Sequence, residues 1–396
     1  MLNRRTLFQA STTIGGAVAA FFGGRKAQAK IPAMADVEPR GADRRLERLP
    51  TLDVESREDF LTHFRIWVNG DVRKVAEKRG AAIMEAKGLD PRTPMPHDDA
   101  VTLLADDHII GFSGRAWISA QQLMWKNLHD EFHNNADAYL AEMEATDNAG
   151  PGKLELNPDM HMPKYTKHEI HMQPGGYVGD PLGGYVYHYG TNNFWEARNY
   201  QDEMHEQLVK GIPKPEDGRI KRILHMGCSS GQLTLRLKEL YPDAEVWGVD
   251  VGGPMVRYAH MRGVDLGIGA NFRQALAEDT GFPDGYFDIV TSFLLFHEVS
   301  SEGAEDIIYE GHRLLRPGGV FYSRDQRDWT KLRERTAFSR YQASWIWRWN
   351  HEVWQRDHNS NDYPKLLSGA GFEVSNPRGA KAVGTASSEL MGTKPA

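Results

Sequence analysis

Among its 396 residues the chain has a single cysteine, Cys228. One thiol permits no intrachain disulfide, so the fold rests on its core, and no disulfide framework marks the chain as exported. Positive charge is also scarce: 47 Lys and Arg stand against 54 Asp and Glu, a net charge of −7. Such a balance lacks the basic face that a phosphate backbone requires, which argues against nucleic acid as a partner. No apolar run approaches the ~18 residues that cross a bilayer, so no stable membrane span is expected. The chain has no Gly-x-Gly-x-x-Gly, so the dinucleotide fingerprint is not met, and no Gly-Lys-Ser/Thr closes a phosphate-binding loop. Internal repeats and low-complexity tracts are absent as well.

What is present is concentrated between Arg219 and Val251. Ile223, Leu224 and Met226 make a short apolar run that ends in the small-residue loop Gly227-Cys-Ser-Ser-Gly231. Leu233 to Leu240 carries helical spacing, and Val246 to Val249 is a second buried strand closed by Asp250. This order predicts a βαβ unit. The small residues let backbone approach a ligand, the helix N-terminus favours polar groups, and an acid at the second strand tip can accept both hydroxyls of a ribose.

Further motifs follow in order: Phe282-Pro-Asp-Gly-Tyr-Phe-Asp288 before a strand from Ile289 to Ser292, then Leu294-Leu-Phe-His-Glu-Val299, then Leu315-Arg-Pro-Gly-Gly319 before a strand from Val320 to Ser323. Leu366-Leu-Ser-Gly-Ala-Gly-Phe-Glu-Val374 and Leu390-Met-Gly-Thr-Lys394 complete the series. Together these resemble the class I S-adenosylmethionine (SAM) dependent methyltransferases, in the small-molecule group that includes the quinone-biosynthesis enzymes. The resemblance covers roughly residues 190 to 396. It implies an α/β fold, a Rossmann-like seven-stranded sheet with helices on both faces, and SAM as cofactor. It also implies a cofactor site at His225, Gly227, Cys228, Ser229, Gly231, Asp250, Ala277, Glu278 and Ser292. His297, just past the fourth strand, is the first choice for a catalytic base or acceptor contact, with Glu298 and Tyr189 as weaker ones.

The chain departs from the family at three positions. His225 stands where the family usually has Asp or Glu, Ser229 replaces the middle glycine of the loop, and Leu276 falls where an Asp commonly faces the adenine. Glu278 or Asp279 takes that place if the loop is shifted. The reading is methyl transfer to the O, S, N or C nucleophile of a small, apolar or aromatic acceptor by in-line displacement. The alternative is an exported, non-catalytic ligand-binding protein on a degenerate methyltransferase fold.

Residues 1–29 read as a signal peptide. Asn3-Arg-Arg-Thr-Leu-Phe8 resembles a twin-arginine export motif, Ile14 to Phe22 is a short apolar stretch, and Ala27-Gln-Ala29 is a small-x-small cleavage site. Removal takes away Arg4, Arg5, Arg25 and Lys26 and no acid, four positive charges, which moves −7 to −11. The expected location is the periplasm, or the cytoplasm if the signal is vestigial.

Residues 30–190 read as a mainly helical accessory or lid domain, and 191–396 as the methyltransferase domain. Helical spacing runs through Arg57 to Lys87 and Ser119 to Thr146, and Asn148 to Pro163 reads as a loop. Gly183-Gly-Tyr-Val-Tyr-His-Tyr-Gly190 interleaves glycine and aromatics and is either a lid or plain turn chemistry. His129 and His133, followed by His161, His168, His171 and His188, match no recognised ligand spacing, and no metal ligand is assigned. Ser344 to Trp354 holds four tryptophans. Trp345 and Trp349, four apart, are expected to touch the acceptor, and the other reading of this face is a packed helix or a homodimer contact.

Overall fold

The computed structural model describes residues 45–93, 95–326, 336–375 and 389–396. The export-type segment 1–29 and the start of the accessory region, 30–44, lie outside the described residues. Eight strands form one mixed sheet: β1 (Leu154–Glu155), β2 (Arg222–Met226), β3 (Glu245–Asp250), β4 (Asn271–Gln274), β5 (Phe287–Phe293), β6 (Leu315–Arg324), β7 (Glu373–Ser375) and β8 (Glu389–Thr393), in the order β1-β4-β3-β2-β5-β6-β8-β7. Pairing is parallel from β1 through β6, and β8 runs antiparallel to both β6 and β7.

Side chains of the central strands divide by parity between two layers, as a sheet covered on both faces requires. Ile223, Val246, Ile289 and Val320 sit in register and join Leu233 and Leu237 in one buried cluster. Their neighbours Leu224, Trp247, Val290 and Phe321 join Phe296, Ile307 and Ile308 in the other. Chain order reverses at β2, which lies between β3 and β5. The loops leaving the carboxyl ends of β2, β3 and β5 therefore open around one crevice, where open α/β sheets bind ligands.

The sheet has one strand more than the seven expected, and the extra edge comes from the stretch read as a loop. Leu154 and Glu155 pair with Phe272 and Arg273 on β4. Gly152 makes this approach feasible, since a Cβ there would lie 1.9 Å from the carbonyl oxygen of Ala270.

Fourteen helices occur among the described residues. The accessory region contributes α1 (Leu52–Trp67), α2 (Arg73–Ala86), α3 (His97–Leu104), α4 (His108–Asn134), α5 (Ala136–Thr146), the single turn α6 (Gly176–Gly179) and α7 (Gly183–Phe194). Then come α8 (Glu203–Lys210), α9 (Gln232–Leu240), α10 (Gly253–Leu266), α11 (Ser301–Leu314), α12 (Ala337–Trp349), α13 (Gln355–Ser360) and α14 (Tyr363–Gly369).

The glycine and aromatic stretch 183–190 is neither loop nor turn. It is the body of α7, and its glycines are contact points between helices. A Cβ on Gly184 would lie 2.3 Å from Cβ of Tyr258 on α10, and one on Gly190 would lie 2.3 Å from the Trp125 ring on α4. Tyr185 stacks edge-on to Tyr258 at 4.6 Å. The described residues pack as one compact unit, with α7 joining the accessory helices to the sheet.

Candidate active site

Many separate stretches of chain converge on one cavity of about 670 Å³ at the crevice. One wall is the loop after β2 and the tip of β3. Gly227 lies at φ +66 with Leu295 against it, where a Cβ would sit 2.9 Å from Leu295 Cδ1. Ser229, at the usual glycine position, takes φ 50, so this serine pays a strain that glycine would avoid. In return its backbone N–H donates to Asp250 Oδ2 at 2.8 Å, while Gly252 N–H donates to Oδ1 at 2.8 Å. Burial raises the Asp250 pKa and these two donors oppose the rise. Its remaining lone pairs face the cavity wall.

His225 is buried beside this loop with Nδ1 2.9 Å from Thr234 Oγ1. Burial, reinforced by His205, pushes its pKa down to about 3, so the imidazole is neutral. Its Nε2 is buried, has no hydrogen-bond partner, and belongs to a residue lining the cavity. With Nδ1–H donated to Thr234, that lone pair can accept from an ammonium, the task an acid performs in the resembled family.

Cys228, Ala277 and Glu278 also line the cavity. Burial raises the Cys228 pKa, so it is a small packing residue and not a thiolate. Glu278, and not Asp279, is the acid at the wall, and it accepts a hydrogen bond from Tyr165. Two expected cofactor residues lie elsewhere. Ser292 faces β6, donating to Ser323 Oγ at 2.7 Å. Gly231 (φ +78) opens α9 and lets it pack on α10 and β4, because a Cβ would lie 2.7 Å from Ala259 Cβ.

The opposite wall is aromatic and polar. Trp117, Phe194, Trp195, Phe293 and Ile346 line it. The buried Arg65 guanidinium lies 4.5 Å from the Trp117 ring centroid and 4.9 Å from that of Phe194, and it donates to Gln121 Oε1 at 2.7 Å. Burial lowers the Arg65 pKa to about 10, which leaves it charged at neutral pH. Tyr189, Trp345 and Trp349 do not line this cavity. Tyr189 packs on Phe132 at 5.3 Å. Trp345 lies over Gly114, where a Cβ would be 2.9 Å from its ring, and meets Trp117 edge-on at 5.8 Å. Trp349 is 49% exposed. The helix ends at Trp349, so Trp354 does not continue its face and meets Tyr165 instead.

Between the walls lie His297 and Glu298, on the turn after β5, with His171 and Glu352. His297 Nδ1 is 2.6 Å from Asp325 Oδ1 and its Nε2 is 3.2 Å from Glu298 Oε1. Burial opposes its charge, but Asp325 and Glu298 outweigh burial and raise its pKa well above the usual value. In that protonation state His297 offers hydrogen-bond donors to the cavity that it lines. His171 Nε2 is 3.2 Å from Glu298 Oε1 and its Nδ1 is 3.0 Å from Glu352 Oε1. Burial is again outweighed, by Glu352 and Glu298, and the pKa of His171 rises to about 10.

His171 is placed by its own backbone. It takes φ 53, and its carbonyl accepts from Gln121 Nε2 and Trp125 Nε1, each at 2.7 Å. Sequence reasoning noticed His171 only as one of several scattered histidines and missed Glu352, Asp325, Arg65 and Gln121. No spacing rule links them, since they meet only through tertiary packing.

Residues 223–319 match the methyltransferase domain family model. Within the curated proteins the chain is 39% identical over 99 residues to the demethylmenaquinone methyltransferase of Thermus thermophilus, covering 25% of this chain and 44% of that one. It is 36% identical over 101 residues to a ubiquinone/menaquinone biosynthesis C-methyltransferase of Stutzerimonas stutzeri, covering 25% and 39%. The chain thus spans less than half the length of these relatives. A solved magnesium protoporphyrin IX methyltransferase from Synechocystis with bound SAM aligns at 18% identity and a TM-score of 0.33, over 48% of this chain and 79% of that one. The loop 227–231 and Asp250 thus lie inside the segment that matches the methyltransferase domain model.

Proposed function

We propose that the whole chain transfers a methyl group from SAM to a small acceptor with an aromatic or otherwise apolar body. The observation that carries this reading is the continuity of one cavity from Asp250 and the 227–231 loop to the aromatic wall of Trp117, Phe194, Trp195 and Phe293. The residues fit the cofactor. Asp250 has free lone pairs for ribose hydroxyls, and the unpartnered His225 Nε2 suits an amino group. SAM, when bound, supplies a methyl on a sulfonium that an O, S, N or C nucleophile displaces in line.

The chain's own work is positioning, which can contribute ~7 to 11 kcal/mol to such a step. Arg65 braces Trp117 and Phe194, so that the aromatic wall is rigid and excludes water. Glu298 and Glu352 each keep Oε2 buried without a partner, ready to accept from an acceptor hydroxyl. An oxygen nucleophile on an aromatic ring therefore suits the site best. A phenol or hydroquinone is the acceptor class we favour, in keeping with the quinone-pathway names of the relatives.

We also propose periplasmic residence through the twin-arginine-type segment 1–29, since that route moves folded proteins and would carry a bound cofactor out. Cell fractionation of the Arg4→Lys, Arg5→Lys double variant tests it, with retention in the cytoplasm expected and unchanged periplasmic recovery contradicting it. The activity is tested by incubating the chain with methyl-labelled SAM and a panel of phenols, hydroquinones and thiols. Labelled product with matching S-adenosylhomocysteine release is expected. Label that remains on SAM across the panel would contradict the proposal.

A further inference from the structure

We propose that His171, His297 and Glu298 bind a divalent first-row transition ion at the centre of the cavity. Donor atoms held ~2.0 to 2.2 Å from one cation stand ~3.0 to 3.5 Å from each other at tetrahedral or octahedral angles. Glu298 Oε1 lies 3.2 Å from His171 Nε2 and 3.2 Å from His297 Nε2, and one donor from each of His171, His297, Glu298 and Glu352 lies within 4.8 Å of all the others.

The surrounding contacts are those a metal-binding histidine needs. Each imidazole turns its other nitrogen to a buried carboxylate, His297 Nδ1 to Asp325 at 2.6 Å and His171 Nδ1 to Glu352 at 3.0 Å. That pattern fixes the tautomer with Nε2 free for an ion. Asp325 is held in turn by the Phe296 and Gln326 backbone N–H groups at 2.7 and 2.6 Å, and Glu352 accepts from Asn350 Nδ2 at 3.2 Å.

Two further observations point to a ligand. Glu352 is 3% exposed, lines the cavity, and its Oε2 has no partner, as is also true of Glu298 Oε2. The two imidazoles offset the buried Asp325, Glu298 and Glu352 carboxylates, and a dication held by them would take over that role. Imidazole nitrogens in the set favour zinc, iron, nickel or copper over magnesium, calcium or manganese, and cobalt serves as a visible stand-in for zinc. Three protein ligands leave positions open toward the chamber. Rested on the methyl-transfer reading, the ion would take an acceptor oxygen there and lower the pKa of its hydroxyl, whose proton would pass to the unpartnered Glu352 Oε2 and leave the oxygen as the nucleophile.

The site is tested without SAM. The full chain, stripped with a chelator, is titrated with Co²⁺ and Zn²⁺, reading visible ligand-field absorption and metal content. One equivalent bound at micromolar strength or tighter is expected. Glu298→Gln and His171→Ala should abolish the Co²⁺ spectrum, and Asp325→Asn should weaken binding about 10 to 100-fold. His133→Ala, in the separate grouping of His129, His133 and Asp180, should leave it unchanged. Glu298→Gln is nearly isosteric, and a retained circular-dichroism spectrum and cooperative denaturation transition report that it folds. Failure of the wild type to take up either ion, or a Co²⁺ spectrum indifferent to Glu298→Gln, would overturn the proposal whether or not the chain binds SAM.

Discussion

The two walls of the cavity are built in opposite ways. The cofactor wall comes largely from one stretch, β2 to β3, in which a loop, a helix and a strand tip are neighbours in sequence. The aromatic wall gathers Arg65, Trp117, Phe194, Phe293 and Ile346 from separate elements spread over nearly three hundred residues. A wall made by local geometry can be recognised from spacing, whereas a wall made by packing depends on helix contacts far from the cavity.

Overpacking should show this dependence most strongly. Gly231→Val strikes the start of α9 behind the cofactor wall, where φ +78 and a Cβ position 2.7 Å from Ala259 leave no room. Gly184→Val strikes the joint between α7 and α10 at 2.3 Å from Tyr258. Each should cost roughly 3 kcal/mol or more, read as a drop in denaturation midpoint. If Gly184→Val were tolerated at no cost, the aromatic wall would not depend on that joint.

The accessory helices and the sheet should also differ in their response to pH. Burial, with the Asp59 charge adding to it and Asn127 opposing, lifts Glu58 on α1 to about 8 from 4.5. The folded state then holds a proton that the unfolded state has released, so this contribution to stability is full below 4.5 and is lost as pH rises toward 8. His225 has the opposite sign. Its pKa falls to about 3 from 6.5, the unfolded state binds the extra proton, and its contribution is full above 6.5 and is lost as pH falls toward 3. Each swing is on the order of a few kcal/mol. Glu58→Gln should flatten the loss between pH 4.5 and 8 in urea titrations, and an unchanged slope would contradict the burial argument.

Gln121→Ala should have a smaller effect, costing about 1 to 3 kcal/mol by leaving the His171 carbonyl short of one donor and Arg65 without its acceptor. Acceptor KM should rise while SAM affinity stays unchanged, since Gln121 touches only one wall. Trp349→Ala should change stability by no more than about 0.5 kcal/mol and activity not at all, because the ring is half exposed and away from the cavity.

The same contrast explains what was legible in the sequence. The strand, loop and helix from Ile223 to Asp250 and the strands after Phe282 and Pro317 follow from apolar runs and glycine punctuation, and they lie where spacing placed them. Burial on both faces leaves a parallel strand little choice of pattern. The glycines of α7 were misread because their role is contact with Tyr258 and Trp125, which no local pattern encodes. Trp345 and Trp349 were assigned to the acceptor on residue type alone, yet one packs on Gly114 and the other faces outward. His171 and Glu352 are 181 positions apart, and only the fold brings them to 3.0 Å.

The central claim is that Asp250 and the 227–231 loop bind SAM. Calorimetric titration of the chain with SAM, beside Asp250→Ala, tests it directly. The expected result is micromolar binding, about −8 kcal/mol, that weakens at least 100-fold in Asp250→Ala. No binding by the wild type, or equal binding by both proteins, would contradict the claim.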